Sequence, residues 1–316
     1  MRAVRLLPES SSLKLVEIGV PTLRPASVLV RIEAVLIPPF HVSLIDGSSG
    51  FDTPPRPFTP GSEAVGTVEA VAEDAGDIKP GTRVFCDSFI ERWNGTQLDS
   101  AFIGCFAMTP GGTELLARWP NGAWATHMLL PADNVSSVEP ALRRASMDAL
   151  TRLGWFGTAY SAFERTNFRA GRTVSVLGAT GLLGVGAVLL ALSMGASRVV
   201  AVGRSEAKLA HLRKLDSRIE TAVEPPTGID LAINATRSGE DPVFIERSLP
   251  GLRERGALVD LAGPGRPPSV PDLIGRNLSM HGSLWFPRKT VSTLVDMIAS
   301  GVLALDSIQS HCYRFK

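Results

Sequence analysis

Gly178, Gly181 and Gly184 recur at every third residue of the run VLGATGLLG, after an apolar strand, Val174–Leu177, and at the head of an apolar helix that ends at Gly195. Residues of this kind at this spacing do phosphate chemistry. Gly178 permits a tight turn, Gly181 lets backbone approach a pyrophosphate, and Gly184 lets helix and strand pack closely. The phosphates then rest on the helix N-terminus, with the backbone of Ala179, Thr180, Leu182 and Leu183 completing the cradle. Glycine also serves purely structural turns. Strand, loop, helix and a second strand, Arg198–Val202, at these lengths select a dinucleotide.

The end of that second strand chooses which dinucleotide. An NAD site places an acidic residue there to accept from the ribose 2′-hydroxyl. AVGRSEAK offers Gly203, Arg204 and Ser205, with Lys208 one turn on. The absence of a carboxylate at Gly203 favours NADPH/NADP+, whose 2′-phosphate the two cations would welcome. The competing reading makes Arg204 and Lys208 the solvated start of a helix capped by Ser205.

These groups need elements to hold them. The first 140 residues or so read as short strands broken by turn residues: SVLVRIEAVLI, EAVGTVEAV and GTRVFC. From Ser146 longer helical stretches alternate with apolar strands, the pattern of a parallel sheet. The fold class is therefore α/β, a β-rich domain over 1–140 followed by a doubly wound nucleotide-binding domain over 141–287 and a C-terminal helix and return segment over 288–316. Residues 87–122 show no clean period and read as a long surface excursion, a candidate lid.

Bulk properties narrow the function. The chain has 316 residues with 44% hydrophobic content, enough for two domains with substantial cores. Its 32 basic and 31 acidic residues nearly cancel, which argues against nucleic acid and against an anionic membrane surface. No signal segment or membrane-length apolar run is present, so a soluble cytoplasmic protein is expected. Cys86, Cys105 and Cys312 lack the spacing of a disulfide framework or a zinc knuckle.

The pieces PGSEAVGTVEAV, KPGTRV, GAWATHMLLPADNV, GTAYSAF, VLGATGLLG and GRNLSMHGSL, in this order, make the chain resemble the medium-chain dehydrogenase/reductase superfamily over nearly its whole length. The resemblance implies a GroES-like β-rich catalytic domain, a Rossmann NADP(H)-binding domain and an active site in the cleft between them. Family members that use zinc hold it through three positions, which fall here on Pro38, Ser62 and Gly154. None of these is a normal zinc ligand. The family's hydroxyl relay falls on Phe40, and the lobe carrying four cysteines for a structural zinc is replaced by the 87–122 excursion. The resemblance therefore points to a zinc-free, quinone oxidoreductase-like subgroup with no metal.

Zinc polarises simple carbonyls, and without it activated acceptors need less help. The implied reaction is hydride transfer from NADPH to a conjugated carbonyl or a quinone. Phe40, His41, Ser62, Trp155, Trp285 and Phe286 are expected to line the substrate pocket, with Thr158 and Tyr160 near the cofactor. His41 is the titratable side chain left in PPFHVS and the candidate proton donor. Its alternative is a structural histidine, with solvent protonating the product; Trp124 is expected to pack the strand after the excursion. The apolar strand in LSMHGSL, at the edge of the nucleotide sheet, implies a homodimer.

Two other functions fit the same glycine loop: a metal-free alcohol or carbonyl oxidoreductase, and a non-catalytic NADPH-binding sensor or scaffold. Family members continue past the last nucleotide-domain helix where this sequence stops at HCYRFK, and the 224–228 link is short for the family. Abbreviation and truncation both stay open.

Overall fold

The computed structural model describes residues 1–8, 12–236, 244–262, 270–305, 308 and 311–315. The chain divides into two compact units, one of Met1–Gly154 with Val291–Ala299 and Ile308–Lys316, the other of Trp155–Thr290 with Ser300–Ser307.

The first unit is β-rich. Strands β1 (Arg2–Leu6) and β2 (Leu13–Glu17) form an antiparallel pair. β3 (Ser27–Val35), β4 (Ala64–Val71) and β5 (Arg83–Cys86) follow, then a hairpin of β6 (Phe89–Trp93) and β7 (Leu98–Phe102), and finally β8 (His127–Pro131) and β9 (Val135–Ser137). The main sheet is antiparallel, in the order β8-β3-β4-β5-β9. The β3–β4 register shifts between Ile32 and Ala34, beside the partner Gly66. A Cβ on Gly66 would lie 2.3 Å from the carbonyl oxygen of Arg31, so only glycine lets the strands approach at that irregularity.

Residues 87–122 are not a surface excursion. They hold the β6–β7 hairpin and helix α2 (Gly112–Arg118), which follows the shorter α1 (His41–Asp46) in the chain. Ile90, Ala101, Ile103, Ala107, Leu115, Leu116 and Trp119 are buried in the same core cluster as Val30, Val68 and Val84 of the sheet. Removing that much apolar area from water fixes the segment as part of the unit, and the expectation of a lid falls with it.

Helices α3 (Met147–Leu150) and α4 (Leu153–Arg165) precede the second unit's sheet. Its strands are β10 (Thr173–Leu177), β11 (Arg198–Val202), β12 (Ile219–Ala222), β13 (Ile229–Asn234), β14 (Leu252–Asp260) and β15 (Ser279–Gly282). All five pairings are parallel, in the order β12-β11-β10-β13-β14-β15. That is the Rossmann order, which reverses direction between β10 and β13 and opens a ligand crevice at their carboxyl ends. β10 is buried along its whole length, as a strand covered on both faces must be. Helix α5 (Leu182–Ser193) is apolar on every side and buries Leu183 through Ala191 apart from Val185. The link from β12 to β13, residues 223–228, carries no helix. Its Pro226 carbonyl runs so close to Gly251 that a Cβ there would lie 2.0 Å from the oxygen.

Candidate active site

The glycine loop sits at the carboxyl end of β10. Gly178 has φ 75°, a left-handed conformation that glycine adopts without steric cost, and a Cβ there would meet the Ala235 carbonyl at 2.7 Å. Gly184 lies against the turn: its Cβ would be 2.2 Å from the Gly178 carbonyl oxygen. Gly181 differs, since its Cβ would meet nothing closer than that same oxygen at 3.5 Å. It is exposed and stands at the N-cap of α5 with no side-chain cap. The amides of the first helical turn therefore face an open approach, the geometry that receives an anion. Thr180 flanks the approach; Ala179 and Leu183 are buried beneath it and Leu182 is half-buried.

β11 ends in Gly203, Arg204 and Ser205. Ser205 occupies the N-cap position of helix α6 (Glu206–Arg213), but its side chain makes no capping hydrogen bond. Arg204 and Lys208 are exposed. A Cβ on Gly203 would lie 3.2 Å from Thr180 Cγ2, so the end of β11 abuts the glycine loop. Together these residues fit a nicotinamide dinucleotide: backbone donors for the pyrophosphate, and an exposed guanidinium beside a glycine at the end of the second strand.

Polar groups gather at the carboxyl ends of β13, β14 and β15, where the sequence reading did not place them. Buried Asn234 closes β13 and donates through Nδ2 to Asp260 Oδ1 at 3.0 Å. Its Oδ1 accepts from the backbone N and the Oγ1 of Thr236. Ser283, just beyond β15, pairs with Ser161 of α4 at 2.8 Å and accepts from Arg165 Nε at 3.0 Å. The missed signal was an asparagine ending an apolar parallel strand, the usual place for ligand-facing groups.

The aromatic residues expected to line the substrate pocket are placed unequally. Phe286 is buried against α4, where a Cβ on Gly157 would collide with its ring at 2.5 Å. Trp285 stacks on Phe286 with centroids 4.6 Å apart. Trp155 is half-buried, as is Tyr160, while Thr158 is buried.

In the first unit, His41 is buried and stacked between Phe40, at 4.6 Å between centroids, and Trp124, at 4.8 Å. Trp124 thus packs the imidazole rather than only its own strand. His41 Nε2 lies 3.6 Å from the Cys105 thiol, 64 residues away in the sequence. Burial pushes the His41 pKa down to about 4. Nearby, Ser62 Oγ donates to Glu63 Oε2, and both side chains are buried. Burial drives the Glu63 carboxyl above its usual range, with the Ser62 hydrogen bond acting in the opposite direction. Burial also raises the Cys105 thiol, and the Glu63 charge adds to it. Three titratable groups here thus favour their uncharged forms for one reason, desolvation. Pro38, Ser62 and Gly154 are buried and offer no imidazole, thiolate or carboxylate. Among the described residues no three His, Cys, Asp or Glu side chains group to hold a metal ion.

Comparison with known proteins gives this geometry a context. Residues 24–140 match the alcohol dehydrogenase GroES-like domain. An alcohol dehydrogenase of Moraxella sp. (strain TAE123) is 26% identical over 317 residues, covering 95% of this chain and 89% of its own. The 2-methylene-furan-3-one reductase of Solanum lycopersicum is 25% identical over 272 residues, covering 83% of this chain and 62% of its own. Among solved structures, the alcohol dehydrogenase TADH from Thermus sp. ATN1 superposes with a TM-score of 0.77 at 23% identity, covering 96% of this chain and 90% of that one. At that identity the likeness is one of fold.

The buried imidazole makes a pH prediction. A histidine whose folded pKa is about 4 against 6.5 when unfolded costs stability as pH falls through 6.5, and the loss levels off below about 4. That shift amounts to up to about 3 kcal/mol. His41→Phe keeps a ring between Phe40 and Trp124 and removes the titration. Denaturant melts at pH 7 and pH 4.5 should show the variant losing less stability than the parent over that interval. Equal losses would contradict the buried neutral imidazole.

Proposed function

We propose that the chain, with a GroES-like domain ahead of a Rossmann sheet, is a member of the medium-chain dehydrogenase/reductase superfamily and a zinc-independent, NADPH-dependent reductase of conjugated carbonyls or quinones. The observation that carries the cofactor choice is the end of β11, where Gly203 and Arg204 stand in place of a carboxylate. The reductase of Solanum lycopersicum named above supports the substrate class, since its name is that of a conjugated ketone's reductase.

When bound, the cofactor supplies a hydride. The residues of this chain bind and orient. The first-turn amides of α5 would hold the pyrophosphate, and the Arg204 guanidinium would take the 2′-phosphate with charge-assisted bonds. In the unit that carries the glycine loop, Trp155 and Trp285 are the groups assigned to the flat substrate. Phe286 acts through its packing on α4 and its stack with Trp285. His41, uncharged at neutral pH, serves as a stacked support for Phe40 rather than as an acid. An enone would take that hydride at its β carbon, with the electron pair delocalised to the carbonyl oxygen, and solvent would supply the proton at the α carbon. No Lewis acid is required, because conjugation spreads the charge as it develops.

A homodimer through β15 belongs to the same reading. That strand pairs with β14 on one side and ends the sheet on the other, leaving backbone groups for a second copy. Light scattering on the full chain should give twice the chain mass; a monomer at working concentration removes this part.

Cofactor choice is tested by fluorescence titration at fixed salt. Arg204→Ala should weaken NADPH roughly ten- to a hundredfold, the equivalent of about 1.5–3 kcal/mol, and leave NADH nearly unchanged. Gly203→Asp should turn preference toward NADH, with a modest penalty because its Cβ would crowd Thr180 at 3.2 Å. Equal weakening of both cofactors by Arg204→Ala, or tighter NADH in the parent, would refute the assignment.

A further inference from the structure

The first unit carries a second concentration of donors, on residues none of which is assigned above to cofactor or substrate. A cleft of about 420 Å³, its open mouth included, is lined by Arg24, Thr59, Arg118, Trp119 and Asn121 among others, and no acidic side chain lines it. The guanidinium carbons of Arg24 and Arg118 lie 5.5 and 5.8 Å from the centre of the Trp119 ring. Both side chains are therefore held over one buried indole, while the residues themselves are exposed. Arg24 Nη1 also donates to the Arg118 carbonyl, which anchors one corner of its fork. Neither arginine forms an ion pair among the described residues.

The polar wall of the cleft is pre-set. Asn121 Oδ1 accepts from Arg5 Nη1 at 2.9 Å and from the backbone N of Thr59 at 3.0 Å. Two donors on that oxygen fix the orientation of the amide, so Nδ2 is left as a donor. Thr59 is fully buried, and its Oγ1 has no hydrogen-bond partner among the described residues. An orphaned buried hydroxyl costs free energy unless a ligand or water satisfies it. His127, also in the lining, is engaged already: Nδ1 meets Thr126 Oγ1 at 3.0 Å and Nε2 meets Glu69 Oε2 at 3.1 Å.

We propose that this cleft binds a phosphate group, free or carried by a small phosphate ester. Two guanidiniums suit a dianion with three acceptor oxygens better than a carboxylate. The Asn121 amide and the Thr59 hydroxyl supply the uncharged donors that orient it.

The test uses the full chain with Arg204→Ala, which removes the guanidinium proposed for the cofactor's 2′-phosphate and leaves the first-turn amides of α5, and follows inorganic phosphate by 31P line broadening; the cleft variants below tell its binding from binding at those amides. Saturable broadening is expected, and an equal concentration of acetate should displace little of it. Replacing both Arg24 and Arg118 by Gln should weaken binding at least tenfold. Should that variant fold poorly, Asn121→Asp decides: it keeps the acceptor for Arg5 and Thr59 but puts a carboxylate oxygen where the amide donor was, and should also weaken phosphate at least tenfold. Thr59→Val should weaken it about threefold. Broadening that does not saturate, or binding that Asn121→Asp leaves unchanged, overturns the proposal. Acetate competing as well as phosphate overturns the choice of a dianion. Inorganic phosphate probes the group alone, and the same titration with phenyl phosphate tells a free ion from an ester: tighter binding of the ester assigns the cleft to an esterified ligand.

Discussion

The nucleotide half of this molecule depends on one close contact, the seat of α5 on the carbonyl of Gly178. A single Cβ at Gly184 would come within 2.2 Å of that oxygen, closer than packed atoms tolerate, so any larger residue there would lever the helix away from β10. With glycine, the first turn of α5 lies across the end of the strand, and its amides open where the sheet order reverses. The left-handed turn at Gly178 and the open approach at Gly181 follow from the same contact. It also fixes where β11 ends relative to the loop, because Gly203 abuts Thr180. Arg204 thereby follows directly on the residue that abuts the glycine loop, which is the position the proposed cofactor choice rests on.

The β-rich unit is governed by desolvation instead. Ser62 is buried against Glu63, and His41 and Cys105 lie together in the same unit, all three titratable groups favouring neutrality. Glu63 is raised, His41 is lowered and Cys105 is raised, each chiefly by burial. A carboxyl, an imidazole and a thiol that all resist charging make this part of the unit electrostatically neutral. The 87–122 segment contributes to this environment directly, since it carries Cys105 to the imidazole.

Much of the fold was legible because it rests on local pattern. β3 at Ser27–Val35, β10 at Thr173–Leu177, β11 at Arg198–Val202 and the helix between the last two fall where apolar runs and glycines place them. The hairpin in 87–122 was not legible, for a physical reason. β7, LDSAF, buries Asp99 and Ser100, so its polar residues hide the alternation that marks a strand. Asp99 tolerates burial because Arg92, Asn94 and Gln97 all donate to it. The His41–Cys105 approach is equally invisible in sequence, being a contact across 64 residues. Phe286 stood out as an aromatic near a pocket, but its burial depends on Gly157, a residue that no local rule connects to it. The glycine loop was legible because three residues carry its geometry between them.

The most direct measurement of the central claim is the position of the transferred hydrogen. NADPH deuterated at the reactive C4 position is turned over with a simple enone, and the product is read by NMR. Deuterium at the β carbon, with a solvent proton at the α carbon and undiminished turnover in the presence of a chelator, is the predicted result. Deuterium at the carbonyl carbon, giving an allylic alcohol, would contradict conjugate reduction without a metal.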